Sequence, residues 1–216
     1  MMFRLILPLI LLAQPLAAGS FSDAVFDPVA MQAALGDEPL RYDHILRMPE
    51  LPKTDMRPLT PAAEETDEFT LTKPEDSRLA LERVTQGETQ PISDFNVNSA
   101  NPILIYFLES TARNMTEITG GSPFYIRNRL REALGKPDLG PIAEIAVGDR
   151  TATAREVIMR PFAEDAIRSR MGAFAELTLR FVVDADQPGR ILVLAADAVG
   201  VEANYHESLI LKSEGK

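Results

Sequence analysis

The sequence predicts an α+β domain: an αα-hairpin packed on an antiparallel sheet of about four to six strands, preceded by an extended, Pro-rich acidic segment. Three observations carry that expectation. Two helix-periodic stretches flank Gly120-Gly121, each opened by a capping residue and a proline. Short apolar runs separated by turn residues follow them to the C-terminus. Before them, Pro49, Pro52, Pro58, Pro61 and Pro74 crowd a stretch rich in acids.

Met1–Gly19 reads as a secretory signal peptide. Arg4 is its only charge, Leu5–Leu16 is an almost unbroken apolar run, and Ala17-Ala18-Gly19 supplies small residues for cleavage after Ala18 or Gly19. The run is too short to span a bilayer and is interrupted by Pro8 and Pro15, so no integral anchor is expected after cleavage. The expected location is outside the cytoplasm, periplasmic in a double-membrane bacterium and secreted otherwise.

Residues 20–100 are expected to wrap the domain or to be partly disordered. They hold 16 acids and 7 bases, a net of −9, against 16 and 14, a net of −2, for 101–216. Asp27-Pro28 opens a short helix that ends near Gly36. Residues 48–66 read as an extended connector without a core, because each proline fixes its own φ and biases its predecessor toward extended backbone. Phe69-Thr70-Leu71 alternates like a short strand, and 77–86 fits neither period.

Residues 101–216 form the expected α+β core. Asn101 caps, Pro102 suits the first helical position, and Leu104, Leu108, Ala112, Met115 and Ile118 mark one face. Gly120-Gly121 ends that helix, Ser122 caps the next, and Ile126, Leu130, Ala133 and Leu134 form its buried stripe before Gly135 and Pro137. Strands are expected at 142–147 and 151–159 around Gly148-Asp149, at 177–184 and 190–196 around Asp186-Gln187-Pro188-Gly189, and at 208–211. Ala163–Met171 reads as a further helical stretch.

The whole chain has 216 residues, 45% of them hydrophobic and 25% charged, with no Cys and a net charge of −10. That excludes a disulfide framework, a thiolate metal site and a cysteine nucleophile. It argues against nucleic-acid binding, which needs a basic surface. An exported chain without disulfides needs a core large enough to stand unstapled.

The densest cluster of special residues runs from Thr119 to Arg131. A helix start behind two glycines attracts anions, and Arg127 and Arg131 lie one turn apart, so Ser122, Arg127 and Arg131 form a candidate anion site for a carboxylate or phosphate. A ligand-free explanation is complete and is preferred: the glycines end one helix, Ser122 starts the next, and the arginines pair with the acidic first half or with Glu132. The glycine spacing and missing Lys exclude a Walker-type loop, and no dinucleotide fingerprint is present. Residues 101–135 resemble stretches of exported bacterial proteins of unknown role, and the resemblance implies no activity.

The only histidines are His44 and His206. Neither has the Gly-x-Ser-x-Gly turn or spaced acidic partners that a hydrolase triad or a zinc site would use, and both read as surface polar residues. The paired acids Glu64-Glu65, Asp67-Glu68 and Glu75-Asp76 diverge in extended backbone, which suits solvation rather than acid–base catalysis. No metal or cofactor is expected.

The leading expectation is an exported, soluble, non-enzymatic factor that binds an envelope protein or takes part in envelope assembly. The alternative comes from the helices-then-sheet order, which resembles cystatin-like and NTF2-like architectures. Those pockets hold small ligands and in some cases support hydrolysis or isomerisation. This alternative predicts a cavity lined by Tyr106, Phe107, Leu179, Phe181 and Leu192, with Arg127 or His206 at its mouth.

Overall fold

The computed structural model describes residues 20–36, 38–53, 58–75, 77–187, 189–200 and 204–213, so the expected signal peptide lies outside the described residues. The chain is α+β, with an antiparallel sheet of nine strands rather than the four to six expected. The difference comes from the acidic first half. Instead of wrapping a separate core, it supplies helices α1 (Phe21–Phe26) and α2 (Pro28–Leu35) and strands β1 (Leu40–Met48), β2 (Ala63–Glu75), β3 (Arg78–Thr85) and β4 (Glu88–Asn96).

Helices α3 (Pro102–Thr119) and α4 (Pro123–Leu134) follow, then β5 (Ile142–Val147), β6 (Arg150–Met159), β7 (Thr178–Asp184), β8 (Ile191–Val199) and β9 (Asn204–Leu211). The strands run in the order β4-β3-β2-β1-β9-β8-β7-β6-β5, two meanders joined where β1 pairs with β9. The last strand is therefore the seam between the two halves of the sheet.

Local chemistry explains these boundaries. Asp27 Oδ1 accepts from the Val29 amide at 2.8 Å, and Asn101 Oδ1 from the Ile103 amide at 3.1 Å, so α2 and α3 begin where a side-chain cap precedes proline. Gly120, at φ +68°, closes α3 by donating its amide to the Thr116 carbonyl. Along β1, Leu40, Tyr42, His44 and Leu46 point inward while Arg41, Asp43 and Arg47 face solvent, the period of a half-buried strand.

Two expectations are corrected. Ala163–Met171 is not one helix; only short 3-10 turns form, at Arg168–Arg170 and Gly172–Glu176. The Asp165 side chain accepts from the Ile167 amide at 2.9 Å and diverts the backbone into a local turn. Nor does the 48–66 connector lack packing: Leu51 pairs with Thr60 and is buried, and residues from Ala63 onward belong to β2.

Helix α3 lies against the inward face of the sheet and reaches both β3 and β8. Its Ile103, Leu104, Phe107 and Met115 are buried there, and the Phe107 ring meets that of Phe181 edge-on at 5.9 Å, while Phe21 closes on Phe181 from α1 at 4.9 Å. The β5–β6 turn folds back toward the seam. A Cβ on Gly148 would sit 3.5 Å from Ile210 Cγ2, and Arg150 donates to the Leu211 carbonyl at 3.4 Å. The outward-facing Val182 and Val193 are buried as well, so the outward face is also covered where β7 and β8 pair.

Gly189 holds α2 on the start of β8. A Cβ there would lie 2.3 Å from the Ala30 backbone, and the Gly189 carbonyl accepts from Asn101 Nδ2 at 3.3 Å. Only glycine permits this approach.

Candidate functional site

The most unusual chemistry lies beneath α3, where β2, β1 and β9 turn polar side chains inward. His44 on β1 is 1% exposed and stands between two carboxylates. Its Nε2 lies 3.4 Å from Glu207 Oε1 and its Nδ1 lies 3.7 Å from Asp67 Oδ2. His44 and Asp67 are directly opposite across β1 and β2, whereas Glu207 faces Leu46, one diagonal step away across the seam.

Each carboxylate has further partners. Glu207 is fully buried and its Oε2 accepts from the Tyr205 hydroxyl at 2.6 Å and from Thr111 of α3 at 3.4 Å. Asn114 extends the network, donating to the Tyr205 oxygen at 3.5 Å and to Ser110 at 3.4 Å. At the other end, Thr85 donates to Asp67 Oδ1 at 2.5 Å, and Arg83 Nε stands 3.8 Å from Asp67 Oδ2. The rings of Phe69 and Tyr106 enclose His44 edge-on.

Among the described residues, His44 Nδ1, Asp67 Oδ2 and Arg83 Nε form no hydrogen bond. Asp67 Oδ2 stands between the other two, 3.7 Å from the ring and 3.8 Å from the guanidinium, without a directed bond to either. Burial pushes the Tyr205 hydroxyl well above its usual range, reinforced by the adjacent Glu207 charge. The Tyr106 hydroxyl rises for the same two reasons in the same order. Neither phenol is set up to act as a nucleophile near neutrality.

An imidazole with a carboxylate at each nitrogen can pass a proton between them, and it also ties several elements to one another. The second capacity follows directly from the geometry: the network joins β3, β2, β1, β9 and α3, and it crosses the seam between the two meanders. A buried polar network with specific partners favours one register and one curvature.

The residues singled out from sequence do not converge on one site. Ser122 opens α4 without a side-chain cap bond. Arg127 is bound to Glu109 of α3 at 2.7 Å, and Arg131 approaches Asn128 at 3.5 Å. Arg129, not Arg131, takes Glu132 at 2.6 Å and also reaches Asp165 at 3.3 Å.

Phe107 and Phe181 lie in the packed interior, and Tyr106 is half-buried beside Phe69. His206 faces the opposite side of β9 from Glu207. Its Nδ1 is 2.7 Å from Asp197 and its Nε2 is 3.1 Å from Ser208, in an outward row that continues through Arg47 to Glu64. His44 departs most from its sequence reading: it is buried, and it belongs to the apolar face of β1. The alternation Leu40-Tyr42-His44-Leu46 is the signal that could have placed it there.

No protein-family model matches the chain, and no curated protein is significantly similar to it.

The sheet ends in two free edges with different chemistry. Strand β4 carries Pro91, a bulge opposite Leu81 and Glu82, and an exposed Arg78–Asp94 ion pair at its border with β3. These features discourage a further strand from adding. Strand β5, Ile-Ala-Glu-Ile-Ala-Val, pairs with β6 without a register shift and has neither proline nor a basic residue. Its one charge, Glu144, accepts from Thr153 at 2.6 Å.

Proposed function

We propose that the chain is an exported, non-enzymatic binding factor of the cell envelope that receives an extended segment of a partner protein on the free edge of β5. The observation that carries this reading is the contrast between the edges: β4 is guarded against strand addition and β5 is not. An unguarded edge offers a row of backbone donors and acceptors to an incoming strand.

Export is supported by the residues just after the expected cleavage site. Ser20 Oγ accepts from the Asp23 amide at 3.0 Å, and Ser20 pairs with Asp138. Phe21 is fully buried, so core packing reaches to within two or three residues of the expected cleavage site. No helix among the described residues is long and apolar enough to cross a membrane. The acidic first half does not serve as a free docking arm in this reading, because four of its segments are strands of the sheet. The small-ligand alternative is less well supported: Phe107, Leu179, Phe181 and Leu192, which would line its cavity, are all packed in the core.

Photo-crosslinking in intact cells tests the proposal. A crosslinker replacing Ala146 on β5 is expected to yield one defined protein adduct in the envelope fraction, and a crosslinker replacing Thr89 on β4 none. Equal adducts from both edges, or none from position 146, would overturn it.

A further inference from the structure

A groove built by helices rather than strand edges has a different character. It lies where the end of α3, the start of α4 and the 167–171 segment meet, and it encloses about 380 Å³. Met115, Ile126 and Met171 form its floor and are each at most 5% exposed. Tyr125 and Ile167 stand at its sides, Ile167 being 37% exposed. Gly121 lines the groove beside Thr119 and Ile126, where a Cβ would lie 3.1 Å from Thr119 Oγ1 and 3.5 Å from Ile126 Cδ1.

Arg170 is the only charged residue lining this groove. Among the described residues its guanidinium has no hydrogen-bond or ion-pair partner, although its neighbour Arg168 is bound to Glu176. In a chain with 32 acids and 22 bases, a groove with an apolar floor, hydroxyls of Thr119, Ser122 and Tyr125 on its lining, one unpaired cation and no acid is a selective surface. The other charged cleft on α4 mixes Arg129 and Arg160 with Glu132, Glu164 and Asp165, and offers no such preference.

We propose that this groove binds a single-chain amphiphile with a carboxylate head, of medium-chain fatty acid type. The alkyl chain lies along Tyr125 and Ile167 above the floor of Met115, Ile126 and Met171, the two methionine thioethers adapting to a flexible chain, and the head pairs with Arg170. The groove volume lies within the range of small-molecule sites. Binding strengthens about threefold to fourfold for each added methylene until the floor is covered. The anion site expected from Ser122, Arg127 and Arg131 is thereby reassigned: Ser122 lines the groove, the two arginines are engaged elsewhere, and Arg170 supplies the charge.

The inference does not depend on strand addition at β5. The test uses the mature chain with methyl-labelled methionine, titrated with sodium decanoate below its micelle concentration, and in parallel with decanol and decyltrimethylammonium. Decanoate is expected to bind with saturation and to shift the Met115 and Met171 methyls while leaving Met31 and Met159 in place. Decanol binds about tenfold more weakly, and the cationic amphiphile does not bind. Arg170→Glu, at an exposed position without partners among the described residues, lowers decanoate affinity at least tenfold with an unchanged melting curve. Ile167→Asp, which replaces the exposed apolar side chain on the same segment by a carboxylate, also lowers decanoate affinity at least tenfold. The proposal is overturned by absence of saturable binding, by equal affinity for the three head groups, by an Arg170→Glu variant that binds like the parent, or by shifts centred on other methionines.

Discussion

His44 Nε2 and Glu207 Oε1 lie 3.4 Å apart although 163 residues separate them in the chain. The contact spans the one place where the two meanders join, so the last strand brings a buried carboxylate to the histidine of the first. Glu207 is fully buried and also holds Tyr205 and Thr111, which makes it the anchor of the network.

Removing that anchor leaves a buried imidazole and a buried hydroxyl without their partner. Glu207→Ala is expected to destabilise the fold by about 3–5 kcal/mol, and Glu207→Gln, which keeps an acceptor for Tyr205, by about 1–3 kcal/mol. Urea unfolding measures both. A Glu207→Ala variant within about 1 kcal/mol of the parent, on the order of a surface change, would show that the network contributes little.

Alkaline pH should unfold the protein earlier than its ion pairs alone predict. Burial raises the hydroxyl pKa of Tyr42, Tyr106 and Tyr205, so the folded state holds these protons more tightly than the unfolded chain. The associated stability is intact below about pH 10, the unfolded tyrosine value, and is lost as pH rises from there toward the folded pKa values. The urea midpoint is expected to be level with respect to these groups up to about pH 9 and to fall steeply above about pH 10. A midpoint unchanged at about pH 11 would contradict the burial of these phenols.

Gly189 and Gly120 separate two kinds of glycine cost. Gly189→Ala drives a methyl into the Ala30 backbone, and is expected to cost at least about 1–3 kcal/mol as α2 is displaced from β8. Gly120→Ala meets open space and bears only the left-handed backbone penalty at φ +68°, about 1 kcal/mol. Thermal melts of the pair rank them, and a larger loss at Gly120 would contradict the close approach at Gly189.

The second half of the fold is legible in the sequence because its signals are local. Asn101-Pro102, Gly120 and Gly148-Asp149 mark boundaries that the structure reproduces within a residue or two. The first half is harder to read for two physical reasons. Strand β2 begins with four exposed residues, and its first inward position is Asp67, so its alternation appears only from Phe69 onward. Strand β4 is an edge with almost every side chain exposed, and it has no apolar period to detect. Proline crowding suggests loss of core, whereas it marks the long β1–β2 connection and, at Pro74, the far end of β2. His44 is obscured because its partners are distant in sequence, and Arg170 because Asp165 diverts the 163–171 stretch from the helix its composition suggests.

Amide hydrogen exchange on the complex captured through β5 tests strand addition most directly. Outward amides of Ile142–Val147 are expected to exchange quickly in the free chain and to become protected in the complex, with β4 amides unchanged. Protection appearing on β4 instead, or no gain on β5, would contradict the account.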